Sequence, residues 1–208
     1  MNFHKYLLVI TLGLTTGSAQ AQYKEPEEKD KVTVFYPKSS FDSLQAKKQL
    51  AKGKATIQGV AFTHPKSSIG VKPLLSPRIL ANQIKITLFP VTPYFEEWYQ
   101  LRKDKENKRK RRYVYLSDAA YRYRLEAITN SSGKFTFPEM KPGKYFLQGF
   151  LGYTSNGSYN EYTGTGYSSS GYQTNYYERK NYSIAHEDRI EEFVEIKEDG
   201  EIVKVKLK

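Results

Sequence analysis

The residues able to do chemistry are few and scattered. The chain holds three histidines and no cysteine. The histidines are His4, His64 and His186, and no His-x-x-x-His or His-Glu-x-x-His spacing joins them. His186-Glu187-Asp188 is a weak metal candidate, and a surface cap ahead of a strand is the plainer reading of it. Without cysteine there can be no disulfide, thiolate zinc site or cysteine nucleophile. Serine is abundant, yet no Gly-x-Ser-x-Gly elbow occurs. Carboxylates are numerous, but no spacing singles out an acid–base pair for glycoside hydrolysis. No catalytic residue, metal or cofactor is therefore expected, and the reading points away from an enzyme.

Two segments carry a different chemistry, that of recognition. Residues 152–177 set Tyr153, Tyr159, Tyr162, Tyr167, Tyr172, Tyr176 and Tyr177 in a background of Gly, Ser, Thr and Asn. Tyrosine offers a flat apolar face, a hydroxyl and few rotatable bonds, which suits stacking on a sugar ring or a protein partner. Tyr159, Tyr162, Tyr167, Tyr172 and Tyr176 are the candidate ligand-binding residues. The span is expected to be a Tyr/Gly/Ser-rich loop, and a mobile hairpin without a ligand is the alternative.

Residues 92–112 form the second segment. Thr92 is an N-cap and Pro93 fits the first helical position, so a helix should begin there. Tyr94, Trp98 and Leu101 fall at i, i+4 and i+7 and predict an apolar stripe against the body of the protein. Beyond Leu101 the run is cationic. Arg102, Lys105, Arg109, Lys110, Arg111 and Arg112 are the candidate anion- or partner-binding residues. A solvated helix end explains them as well as a site for an acidic protein or anionic lipid does. Nucleic acid is not expected, since no reading helix or aromatic RNA motif accompanies the run.

The elements that must position these segments read as strands. Residues 55–62, 83–89, 121–129, 144–151, 192–197 and 202–208 are β-rich or alternate polar with apolar residues. Asp199-Gly200 between the last two runs predicts a hairpin. Lys141-Pro142-Gly143-Lys144 fits a type II turn, and Ser131-Ser132-Gly133-Lys134 fits a hairpin turn. Neither glycine has the spacing of a phosphate-binding loop. Residues 40–53 predict a short helix capped by Ser40, stopped at Gly53, with Leu44, Lys47 and Leu50 near one face. Strands at this spacing predict an all-β sandwich or barrel.

The start of the chain reads as a signal peptide over residues 1–21: a basic His4-Lys5 start, a brief apolar core, then Ala19-Gln20-Ala21. Its apolar run is about half the ~20 residues a spanning helix needs, so no transmembrane segment is expected. Residues 22–53 are a flexible leader and short helix, and residues 54–208 are one domain with the two insertions. The net charge is +11, which favours anionic surfaces. Export to the periplasm or cell surface follows, with an envelope protein or polysaccharide as the expected partner.

Two motifs carry a resemblance. Thr129-Asn130-Ser131-Ser132-Gly133-Lys134-Phe135-Thr136-Phe137, then Met140-Lys141-Pro142-Gly143-Lys144-Tyr145, resemble the carboxypeptidase regulatory-like, or transthyretin-like, β-sandwich family. Gln58-Gly59-Val60-Ala61 is similar to its first strand, and Ile84-Lys85-Ile86-Thr87-Leu88 with Pro90-Val91-Thr92 to its second. The resemblance covers residues 55–151. It implies an immunoglobulin-like, transthyretin-like β-sandwich of about seven strands, with a short N-terminal helix and one inserted basic helix. It brings no catalytic residues, only an accessory, binding or structural module. On that reading any individual function lies in the two insertions.

Overall fold

A computed structural model describes residues 31–65 and 76–208. The expected signal peptide and residues 22–30 of the leader lie outside the described residues. In chain order the elements are β1 (Thr33–Phe35), α1 (Ser43–Gln49), β2 (Ala55–Thr63), β3 (Ile79–Leu80), β4 (Lys85–Pro90) and α2 (Pro93–Lys105). A 3-10 turn (Lys108–Lys110), β5 (Arg112–Val114), α3 (Asp118–Arg122), β6 (Leu125–Ile128) and β7 (Lys134–Met140) follow. The chain ends in β8 (Gly143–Tyr167), β9 (Gln173–Ile196) and β10 (Ile202–Leu207).

Alternation decides which side chains turn inward. Ile57 and Ala61 of β2, Phe135 and Phe137 of β7 and Leu207 of β10 meet Ile86, Leu88, Tyr145, Leu147, Ile190, Val194 and Ile196 of the facing sheet. The first sheet has β2 between β10 and β7, with β3 on the end of β2; the second runs β6-β4-β8-β9. Two sheets sharing one apolar interior make an all-β sandwich, as the alternation predicts. Each aliphatic or aromatic side chain so buried contributes roughly 1.5–3 kcal/mol.

The outer face of the second sheet carries a further layer. Phe89 and Phe146 point away from the sandwich interior and meet Phe95, Trp98 and Val114. Helix α2 lies there, and β5 pairs in parallel with β1 beside it. Thr92 caps α2 by accepting from the Phe95 amide at 3.3 Å, with Pro93 in the first turn. The predicted stripe is real, and Phe95 widens it.

Several expectations change. The described residues hold ten strands rather than seven, because β1, β3 and β5 are too short to show alternation. Residues 121–129 are not one strand: Ser117 caps α3 through the Ala120 amide, so Tyr121 and Arg122 are helical and β6 starts at Leu125. The N-terminal helix is capped by Asp42, not Ser40, and ends at Gln49, with Leu50 as its C-cap. Leu44 faces solvent there, while Ala46 is buried.

Asp199-Gly200 turns the chain without making a hairpin. Only Gly200 has positive φ, whereas the tight two-residue hairpin turn needs it at both central positions. The Asp199 carboxylate instead accepts from the Lys54 amide at 2.9 Å, and β10 crosses to pair in parallel with β2. A turn forms at Gly133, held by Asn130 Oδ1 accepting from the Ser132 and Lys134 amides, both at 2.9 Å, but it is not the predicted hairpin turn: it carries the chain from β6 in the second sheet to β7 in the first. At Gly143 the φ of 147° departs from the ~80° of a type II turn. There the Tyr145 hydroxyl reaches back to the Lys141 carbonyl at 2.8 Å, and the chain crosses between sheets. Burial pushes the Tyr145 phenol up to about 12, so it stays a neutral donor.

Candidate binding surface

The tyrosine-rich span is not a loop but the outer part of one continuous hairpin. Strands β8 and β9 pair without interruption from Gly143↔Ile196 to Tyr162↔Tyr177. One bulge at Thr163 follows, and the ladder resumes to Tyr167↔Gln173. Strand β4 leaves β8 at Gly149, so beyond the sandwich only β8 and β9 remain. Residues 152–167, at about 3.3 Å each, make a ribbon up to roughly 50 Å long. Ser168 closes its tip, accepting from Gly171 and Tyr172 through its carbonyl and hydroxyl.

Residues directly opposite each other share a face of a ribbon, so the register sorts the tyrosines. Tyr162 and Tyr177 meet edge to face at 5.9 Å, and the Tyr162 hydroxyl bonds to Thr165, which donates to Asn175 at 2.7 Å. Tyr167 belongs to this face, with Tyr172 in the turn beyond. Tyr159 lies on the opposite face with Tyr182 at 6.3 Å, and Tyr176 joins that face across the bulge. The five candidate tyrosines are all exposed, yet they form two surfaces instead of one. Tyr182 falls outside the tyrosine-rich window, so composition did not single it out.

The ribbon's polar side chains also sort by register. Thr154, Asn156, Ser158 and Asn160 share the face of Tyr162, opposite Ala185, Ser183, Asn181 and Arg179. Ser183 donates to Asn156 at 2.8 Å across it. That face is a row of hydroxyl and amide groups ending in an aromatic tip.

The basic segment is shorter as a helix than its sequence suggests. Helix α2 stops at Lys105, and the Asn107 side chain accepts from the Lys110 amide at 3.1 Å to start a 3-10 turn. A longer helix would stack Lys105 on Arg109 and Lys108 on Arg112, like charges at i, i+4. Asn107 and Arg112 exchange both backbone hydrogen bonds, at 2.9 and 3.0 Å, closing a tight loop. Lys105, Arg109, Lys110, Arg111 and Arg112 are exposed around it.

Arg102 corrects the candidate set. Only 4% exposed, it lies inside the α2 layer. Its Nη2 donates to both carboxylate oxygens of Glu191 at 2.8 and 2.7 Å, and its guanidinium covers Trp98 and Tyr99 at 4.6 and 4.9 Å. Burial lowers its pKa and Glu191 opposes that shift. Its charge is used internally, in a cluster with Arg189, which also donates to Glu106 at 3.0 Å.

A concave site lies where α2 stops covering the outer face. A cleft of about 580 Å³ has Thr87, Gln148, Lys85 and Phe150 on the sheet, and Trp98 and Val114 from the α2 layer. Tyr36, Tyr115 and Tyr121 stand around it, each half exposed. Sequence reasoning missed this site. Tyr121 was assigned to a strand, and Tyr36 and Tyr115 flank strands of three residues. Only Ser117-Asp118, a capping pair followed by Ala119-Ala120, hinted at a helix there.

His186 has a structural role. It stacks on Tyr153 at 4.9 Å and its Nε2 bonds to Ser155 at 2.7 Å. Asp188 accepts from Thr63 at 2.6 Å, while Glu187 falls on the other face of the strand. Among the described residues no group of three or more His, Cys, Asp or Glu side chains could hold a metal ion. No helix among them is long and apolar enough to cross a membrane.

No family model matches the chain, and no curated protein matches it. Among solved structures, the crystal structure of a Pseudomonas aeruginosa protein, provisionally described as carbohydrate binding, superposes with a TM-score of 0.49 and 17% identity. The match covers 81% of this chain and 97% of that one.

Proposed function

We propose that this chain is a non-enzymatic, exported binding module of the cell envelope, built on a carboxypeptidase regulatory-like sandwich, and that it holds a polysaccharide along its β-ribbon. The observation that carries this is the ribbon itself: exposed tyrosine rings at its tip on both faces, joined on one face to a row of Thr, Asn and Ser side chains. A two-stranded ribbon is marginal alone in water, so one of this length gains from a ligand laid along it. Tyrosine rings supply stacking area for the C–H faces of sugars, and amides and hydroxyls pair with sugar hydroxyls. Binding on a glycan array, or to envelope polysaccharide in a pull-down, should fall at least tenfold when Tyr162, Tyr167 and Tyr172 become alanine. Unchanged binding removes the tyrosines from the function.

A second reading rests on the closed loop at residues 107–112, which presents Lys108, Arg109 and Lys110 together in solvent. Such a loop suits an acidic protein or anionic lipid surface. Its mark is steep weakening with salt, which stacking lacks. Charge reversal of Arg109, Lys110 and Arg111 that leaves binding to anionic vesicles intact removes this reading.

A further inference from the structure

We infer that the cleft beside Trp98 of α2 is a sugar subsite, taking a neutral pyranose unit of the same chain that lies along the ribbon; this rests on the polysaccharide reading above. The register makes the connection. Thr87 pairs with Gln148 on the outer face of the sheet, and Phe150 follows two residues on. Gly152, Thr154, Asn156, Ser158, Asn160 and Tyr162 continue that alternation outward along β8. The cleft and the tip tyrosines Tyr162 and Tyr167 are therefore the two ends of one continuous face, with the hydroxyl and amide row between them.

Each aromatic wall is held before any ligand arrives. Arg124 lies over the Tyr121 ring at 4.1 Å and donates to the Tyr121 carbonyl at 2.7 Å. Tyr115 bonds to the Phe35 carbonyl through its amide at 3.1 Å and its ring runs parallel to that of Tyr113. Glu97 accepts from the Lys38 and Ser39 amides at 2.8 and 3.1 Å, which anchors the segment carrying Tyr36. Walls fixed in place lose little freedom on binding, which raises affinity without added contacts. A cleft of this volume lies in the range of small-molecule sites, where apolar walls and a few polar groups set orientation.

The charges of the cleft select against acidic sugars. Lys85 is paired with Glu126 at 2.8 Å. Arg124, over Tyr121, shares Glu126 at 2.9 Å, and Asp118 stands at the start of α3, so the charges around the cleft balance and leave no net cation for an acidic sugar. Thr87 and Gln148 provide a hydroxyl and an amide on the floor, suited to the hydroxyls of an uncharged ring.

Trp98 is the single tryptophan of the chain and lines the cleft, so its emission reports occupancy. The full chain is titrated with cellohexaose, maltohexaose, chitohexaose and hexagalacturonic acid, and affinity electrophoresis reports binding anywhere on the molecule. The expected result is a saturable change in Trp98 emission with at least one neutral hexamer. Tyr121→Ala and Gln148→Ala should each weaken that binding at least tenfold, and the acidic hexamer should bind at least tenfold more weakly than the neutral one. A neutral hexamer that binds while Trp98 emission stays flat and Tyr121→Ala and Gln148→Ala bind normally overturns the cleft subsite and leaves the ribbon reading standing. An acidic hexamer that binds as tightly overturns the neutral assignment. Retention of none of the hexamers overturns both.

Discussion

The ring of Tyr182 on β9 lies over the backbone of Gly157 on β8, so close that a Cβ on Gly157 would stand 2.4 Å from the ring's Cζ. In an ordinary strand a β-branched residue in place of glycine is favourable by up to about 1 kcal/mol. Here the sign reverses. Gly157→Val should push Tyr182 off the ribbon and loosen the ladder beyond it. Limited proteolysis should cut between residues 153 and 182 several-fold faster, with the unfolding midpoint of the sandwich little changed.

Arg102 and Glu191 give a second prediction. Removing one partner of a buried ion pair strands the other, at a cost of about 3 kcal/mol where one member is partly exposed. Arg102→Met should lower the unfolding free energy in urea by up to about that much, since Met fills the space against Trp98 but leaves Glu191 only Arg189, at 3.5 Å. Binding to anionic vesicles should not change, because Arg102 presents no charge to solvent. A loss of vesicle binding with unchanged stability would reverse this assignment.

Glu97 provides a pH dependence. Its hydrogen bonds from Ser39 and from the Lys38 and Ser39 amides hold its carboxyl below the ordinary carboxylate value. The folded protein thus favours the ionised form, and the stabilisation is complete above the unfolded value. It fades as pH falls through the ordinary carboxylate range toward the lowered folded value. The Ser39 amide resonance should move over that acid range, and Glu97→Gln should remove the transition while freeing residues 36–39 at neutral pH. A Ser39 resonance that titrates identically in Glu97→Gln would assign the effect elsewhere.

Two glycines of positive φ separate conformational strain from crowding. At Gly133, φ is 71° and a Cβ would stand 2.5 Å from the Ala61 carbonyl oxygen. At Gly200, in the turn between β9 and β10, φ is 88° with nothing within 4 Å. Gly200→Ala should cost about 1 kcal/mol from backbone strain alone. Gly133→Ala should cost at least about 1 kcal/mol more in urea titration, because the β2 backbone must also move. Equal losses would show that crowding adds nothing.

What the sequence could reveal depended on the range of the interaction. The sandwich was legible because alternation in β2, β4, β7 and β8 is a local signal of a half-buried sheet. So was the start of α2, since Thr92 and Pro93 act within one turn. The end of α2 was not, because Asn107 breaks it by a local turn that the cationic run masks, and Arg189, the partner of Glu106, is distant in the chain. Arg102 read as surface charge until Glu191, far along the chain, came to meet it. The tyrosine span read as a loop because Gly, Ser and Asn are poor strand formers alone; its order comes from a ladder begun inside the sandwich. The cleft was invisible for the same reason: Tyr36, Tyr115 and Tyr121 converge only once two short strands and a five-residue helix are stacked on β4 and β8.

The ribbon is the outward continuation of β8, which is central in the second sheet, and of β9 at that sheet's edge. A load on a captured chain at the tyrosine tip would travel down β8 into its ladder with β4, nearly along the strand axis. Hydrogen bonds aligned across such a pull are strained together rather than opened one after another like a zip. The molecule is thereby shaped as a tether, with its grip at one end and its strongest resistance to tearing at the other.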